Sequence, residues 1–197
     1  MEFCYQLAKS PITYDFTIFL WYAEQMRRDW DKKSLQIRIV MSDRRRMERD
    51  IVFTPERKEW RARHMLYDIA WLVPSVTEVS IVEQGIQTVG FNMPRIAITE
   101  PLLRSSQQAY WLVHEFLKNY VRPVCIPLRH YDFQPERNNK IEEWRKIVEW
   151  LKQRGYAPIS VQDTDCTLVG KKIDIGAIDY PAASMSPDLR LALYEQC

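Results

Sequence analysis

Apolar positions recur at two spacings along this chain: every second residue in short runs, every third or fourth in longer ones. The two kinds take turns, which predicts an α/β fold of strands joined by helical crossovers. FCYQL, Phe3 to Leu7, reads as the first strand. FTIFLWYAEQMRRDW then sets Phe16, Phe19, Leu20, Ala23 and Met26 on one helical face, with Asp15 as N-cap. LQIRIVM alternates Leu35, Ile37, Ile39 and Met41 against Gln36 and Arg38, as a strand does. EWRARHMLYDIAWLV predicts a helix ended by Pro74, and TEVSIVE a strand with Val79, Ile81 and Glu83 on one face.

The pattern continues after a less regular stretch from Gln84 to Ser106. QQAYWLVHEFLKNY predicts a helix on which Tyr110, Val113, His114 and Leu117 share a face. VRPVCIPLR has the continuous apolar centre of a strand covered on both faces, although Pro123 and Pro127 place it at an edge or keep it short. KIEEWRKIVEWLKQRG is the strongest helix, with Ile141, Trp144, Ile147, Val148 and Leu151 as its apolar stripe and Gly155 as its stop. YAPISVQ returns as a parallel strand, so Val121 to Gln162 forms a complete βαβ unit. SPDLRLALYEQC opens a last helix, capped by Ser186, with Pro187 in its first turn and Asp188 at the positive end of its dipole.

Composition changes the picture in a few places. With 46% hydrophobic and 12% aromatic residues the chain is rich enough for a packed core, which excludes a disordered protein. Its 28 Lys and Arg against 26 Asp and Glu leave no overall field for nucleic acid, so an anion site must be local. The apolar runs IFLWYA and IAWLVP are broken by Glu24 and Pro74, far short of the roughly 20 residues a membrane span needs. MEFCYQLAKS lacks the form of a signal peptide, and the expected location is cytoplasmic. Cys4, Cys125, Cys166 and Cys197 form no CxxC pair, and Cys4 and Cys125 read as small buried hydrophobes rather than nucleophiles. His64 and His114 read as structural, and Arg44 to Arg46, with Glu48 and Asp50 nearby, as a solvated basic loop.

The candidate chemistry lies in RHYDFQPERNN, between the strand VRPVCIPLR and its helix. In open α/β sheets, ligands bind beyond the carboxyl ends of the strands. Asn138 or Asn139 is placed to cap the helix, whose first N–H groups attract an anion. Arg129 ends the strand and Arg137 precedes the helix, so both can converge on a phosphate pair. There is no glycine-rich turn, hence neither a Walker A loop nor a dinucleotide fingerprint. The competing reading pairs Arg129 and Arg137 with Asp132 and Glu136, merely pinning the loop.

From TYDFTIFLWYAEQMRRDW and RHMLYDIAWLVPSVTEV through PVCIPLRHYDFQPERNNKIEEWRKIVEWL to SVQDTD and DLRLALYE, the chain resembles the front part of a bacterial glycosyltransferase family associated with surface-polysaccharide genes. The resemblance implies a Rossmann-like fold of GT-B type. An N-terminal, acceptor-side domain would span residues 1–119, and the first part of a nucleotide-binding domain residues 120–197. It implies sugar transfer from a nucleotide-sugar donor to a glycan or other hydroxyl acceptor, with Arg129 stabilising the leaving diphosphate so that no metal or cofactor is required. In that family a strand and a Gly- and Asn-containing loop follow the helix matching DLRLALYE, so the chain is expected to be an incomplete donor domain. No Asp, Glu or His stands out as the acceptor base.

Two further readings stay open. Asp163-Thr164-Asp165 resembles the DxD motif with which GT-A glycosyltransferases hold a divalent metal. Alternatively the chain is a non-catalytic interaction domain, with Trp21, Trp30 or Trp150 facing a protein partner or a second copy.

Overall fold

A computed structural model describes residues 1–41, 53–86, 101–132 and 134–197. The Arg44 to Arg46 run lies outside the described residues. The chain divides into two compact α/β units, Met1–Arg104 and Ser105–Cys197, each built on a three-stranded parallel sheet.

In the first unit the order is β1 (Glu2–Gln6), α1 (Phe16–Asp29), β2 (Leu35–Val40), α2 (Pro55–Arg61), a π-helical turn (Ala62–Leu66), α3 (Tyr67–Trp71) and β3 (Val76–Val82). The strands lie in the order β1-β2-β3, with Tyr5 opposite Ile39 and Ile39 opposite Ile81. Period-two alternation divides the faces. Phe3 and Tyr5 meet α1, where Tyr5 stands edge-on to Phe16 and Phe19 at 4.7 and 4.9 Å between ring centroids. The buried Tyr5 hydroxyl donates to the Pro11 carbonyl at 2.6 Å, so no polar atom is stranded there. The opposite face carries polar pairs at its start, Arg38 with Glu2 at 2.7 Å and Gln36 donating to Glu78 at 2.9 Å, while Cys4 and Val40 further along it are buried.

The segment expected as one helix from Glu59 to Val73 is interrupted. Thr54 caps α2 by accepting the Arg57 N–H at 3.3 Å, and the π turn then inserts a wider loop of backbone before α3. Across it Ala62, Met65, Leu66, Ile69 and Ala70 all stay buried. Arg61 is buried as well, its Nε donating to the Ile12 carbonyl at 2.9 Å and its guanidinium lying 4.6 Å from the Phe53 ring.

The second unit runs α4 (Gln107–Leu117), β4 (Pro123–Pro127), a 3-10 turn (Pro135–Arg137), α5 (Ile141–Gln153), β5 (Ala157–Val161), α6 (Thr164–Leu168), β6 (Ile178–Asp179), α7 (Pro181–Met185) and α8 (Pro187–Gln196). β5 lies between β4 and β6, parallel to both. Both sheet faces are covered. On one, Ala109, Val113 and Leu117 of α4 pack with Ile159, Val161, Ala192 and Leu193; on the other, Ile126 and Leu128 pack with Val148 and Cys166. Gly155 ends α5 at φ +76°, a left-handed conformation that glycine adopts without a Cβ penalty.

Three expectations are corrected. The boundary between the units falls at Arg104 rather than near Asn119, because α4 buries its apolar stripe against α8 and β5. Ser106 at its start also donates to Asp188 through backbone N at 2.8 Å and hydroxyl at 2.6 Å. The buried stripe of α4 runs through Ala109 instead of Tyr110 and His114, which are exposed. On α5, Ile147 is 43% exposed while Ile141, Trp144, Val148 and Leu151 make the contact.

One buried carboxylate stands out in the first unit. Glu24 of α1 accepts from Arg27 at 2.7 and 2.8 Å, from Arg28 at 2.9 Å and from the Ser75 hydroxyl at 2.6 Å. Burial alone pushes this carboxyl up, but the hydrogen bonds from Arg27, Ser75 and Arg28 outweigh it and hold it at about 2. Since that lies below the ordinary 4.5, Glu24 contributes stability that is fully present above pH 4.5 and is lost as pH falls towards 2. Glu24→Gln is expected to melt at lower temperature at neutral pH and to show a smaller fall in melting temperature between pH 5 and pH 2. Thermal denaturation across that range checks both.

Candidate functional site

Leu128 N donates to the Val161 carbonyl at 2.8 Å, so Arg129 is the first residue beyond the sheet, at the carboxyl edge of β4. The loop that follows is closed by two asparagines, one through its backbone N–H and side-chain oxygen and the other through its side-chain amide. Asn139 N donates to the Arg129 carbonyl at 3.1 Å, while its side-chain oxygen accepts the Arg129 N–H. Asn138 clasps Tyr131 in the same two-way manner, accepting its N–H at 2.9 Å and donating to its carbonyl at 3.0 Å. Asn138 Oδ1 also accepts from Arg129 Nη1 at 2.6 Å, and Nη1 donates to the Gln134 carbonyl at 3.0 Å. Arg129 is thus half-buried and fixed by its own loop.

Neither asparagine caps α5, which corrects the expectation. Lys140 occupies the N-cap with no side-chain capping bond. A loop turning back on itself needs a donor and an acceptor at the same point, and the primary amide supplies both. Arg137 is exposed and donates to the Gln134 side chain at 2.7 Å, so Gln134 receives one arginine on its carbonyl and the other on its amide. Gln134 has φ +54°, a left-handed conformation uncommon outside glycine and costly in backbone energy.

Sequence reading singles out none of His130, Gln162, Lys171 and Arg190, and the structure brings all four to this edge. His130 Nε2 lies 2.6 Å from Lys171 Nζ, and the Cys166 thiol donates to the His130 carbonyl at 3.6 Å. Burial pushes the Cys166 thiol up; Asp163, Asp165 and Asp132 push the same way and Lys171 opposes them, so acids and cations are interleaved here. Buried Gln162 immediately follows β5. Its oxygen accepts the Ile173 N–H at 2.9 Å, its amide donates to Asp179 at 3.3 Å, its N–H donates to the Ser184 hydroxyl at 3.1 Å, and its carbonyl accepts from Arg190 at 2.9 Å. Arg190 also donates to the Ala183 carbonyl at 2.9 Å, which makes it an anchor for α7 and α8. The only sequence signal was position: His130 and Gln162 are polar residues just past apolar strands.

No protein-family model, no curated protein and no solved structure matches this chain.

Other candidates find simple places. Asp163 stands at the N-cap position of α6, Asp165 is buried, and Thr164 between them donates to the Ser184 carbonyl at 2.8 Å. Among the described residues no group of three or more His, Cys, Asp or Glu side chains stands together as a ligand set. Burial pushes the Cys125 thiol up to about 12, and also raises Cys4, far from nucleophilic use. His64 is exposed beside Trp60 at 5.3 Å between ring centroids. No helix among the described residues is long and apolar enough to cross a membrane.

If the two asparagines hold the loop, Asn138→Ala should remove both side-chain bonds to the Tyr131 backbone and one of the hydrogen bonds of the Arg129 guanidinium. The expected loss is about 1–3 kcal/mol of local stability, read as faster amide hydrogen exchange at Tyr131 with exchange in β5 unchanged.

Proposed function

We propose that the second unit binds the diphosphate of a nucleotide sugar at the carboxyl edge of β4 and β5. On this reading the chain is part of a GT-B-like glycosyltransferase, which moves the sugar to a hydroxyl of a glycan or other acceptor. The carrying observation is the guanidinium of Arg129, two residues past β4, held in place by Asn138 and Gln134. A cation already ordered by its loop loses little side-chain freedom when an anion arrives. In the transfer the bond from the anomeric carbon to the diphosphate oxygen breaks, a bond from that carbon to the acceptor oxygen forms, and the acceptor's hydroxyl proton passes to solvent or to the departing diphosphate; positive charge beside the departing oxygens lowers the barrier. Arg137, tied to Arg129 through Gln134, supplies a second charge. Asn138 and Asn139 act as positioning residues for Arg129.

A second reading, a domain that binds a protein partner, is favoured by exposed aromatics. Tyr110, Trp111 and Leu112 of α4 are 47%, 58% and 43% exposed, and Trp150 of α5 is exposed with Arg154 stacked 3.9 Å above its ring. It predicts no nucleotide binding.

Calorimetric titration of the chain with UDP, GDP and ADP separates the two. One of these should bind, and Arg129→Ala should weaken that binding at least ~10-fold, the worth of a charge-assisted hydrogen bond, with an unchanged circular dichroism spectrum. Equal affinity in Arg129→Ala, or no binding to the unaltered chain, would remove the donor-site reading. Binding that requires manganese and is lost in Asp163→Asn would move the site to the aspartate triplet.

A further inference from the structure

The first unit contains a cavity of about 430 Å³ that the donor-site reading does not use. It is lined by Glu24, Arg27, Arg28, Lys33, Arg104 and, on its apolar side, Val73, Pro74 and Leu102. That volume lies within the usual range for small-molecule pockets, roughly 300–1,000 Å³. Four cations face one carboxylate, a formal surplus of three, which falls to two when Asp31, whose charge acts on Arg27, is counted.

The carboxylate cannot neutralise the remaining cations, because its acceptor capacity is used up. Both Glu24 oxygens take two hydrogen bonds each: Oε2 from Arg27 Nε and Ser75, Oε1 from Arg27 Nη2 and Arg28 Nε. Arg27 is further tied to the Lys32 carbonyl. The cavity wall around Glu24 is therefore a rigid, internally compensated platform. Lys33 and Arg104, both exposed, have no side-chain hydrogen bond or ion pair among the described residues. A dianion entering the cavity meets two cations whose charge is not already spent, next to a hydrophobic wall.

We propose that this cavity binds a small organic phosphate, with Lys33 and Arg104 on its phosphoryl oxygens and its carbon body against Val73, Pro74 and Leu102. Arginine and lysine suit the phosphoryl group, and the Val73, Pro74 and Leu102 wall suits a compact body such as a sugar ring. The site is independent of Arg129, and its ligand is a phosphate ester rather than the nucleotide of the second unit.

The test uses the full chain carrying Arg129→Ala, so that the proposed donor site is silent. The ¹⁵N-labelled protein is titrated with glucose 1-phosphate, inorganic pyrophosphate and glucose. Glucose 1-phosphate is expected to shift the amides of Lys33, Ser75 and Arg104 saturably. The double substitution Lys33→Ala with Arg104→Ala, both at exposed positions, should weaken binding at least tenfold with no change in melting temperature. Lys33→Arg with Arg104→Lys should retain it, which separates loss of charge from loss of fold. Unchanged affinity in the double alanine variant, or shifts confined to the second unit, would overturn the site. Equal binding of glucose would overturn the phosphate, and tighter binding of pyrophosphate than of glucose 1-phosphate would overturn the organic body.

Discussion

Two strands paired in parallel run the same way, so the chain leaving one must travel back the length of the sheet before the next begins. Every other large feature follows from that requirement. The return journeys are α1, the helical segment α2–α3 with its π turn, α5 and the stretch that carries α6, and each buries apolar side chains against the sheet whose strands it links. A five-residue strand presents only two or three side chains to any one face, so the positions against α1 carry large ones, Phe3 and Tyr5, and those of β5 against α4 and α8 carry Ile159 and Val161. The same requirement gathers the strand ends on one edge. Arg129 and Gln162 come from residues far apart in the chain, yet both sit just past strands that pair in register, Pro127 opposite Val161.

At that edge, polar groups serve two ends that sequence alone does not separate. Gln162 and Arg190 are spent on holding backbone together, and each polar atom involved is satisfied inside the unit. Asn138 and Asn139 are spent in the same way, Asn139 on the Arg129 backbone and Asn138 on the Tyr131 backbone and the Arg129 guanidinium. Both arrangements end on a half-buried guanidinium: Arg190 donates to the Gln162 and Ala183 carbonyls, while Arg129 Nη1 donates to the Gln134 carbonyl and the Asn138 amide oxygen. The first ties α7 and α8 to the end of β5, and the second closes the loop that follows β4.

The elements long enough to show a period were legible. β1, α1, β2, α5 and β5 lie within a residue or two of where alternation or a 3.6-residue stripe put them, and Ser186 caps α8, accepting the Leu189 N–H at 3.3 Å. α6, β6 and α7 have five, two and five residues, too few for either period to appear. Tertiary contact also decided which face was buried: on α4, Tyr110 and Ala109 are neighbours, and it is the smaller one that allows α8 close approach. The asparagines were read as caps because a cap and a loop clasp draw on the same residue types. The pairing of Ser75 with Glu24 had no local signal, since 51 residues separate them.

The π turn at Ala62–Leu66 bears on how this chain tolerates change in length. A helix lengthened by one residue normally rotates everything downstream by about 100°, the angle between successive residues at 3.6 per turn, and would turn Ile69 and Ala70 away from the sheet. A widened turn takes up one residue where it occurs and leaves the later phase intact. In evolutionary terms, such a bulge lets an insertion survive inside a packed helix, where an added residue would otherwise be rejected. The corresponding deletion has the least to disturb at this point, because a regular α-helix from Pro55 to Trp71 is what would remain.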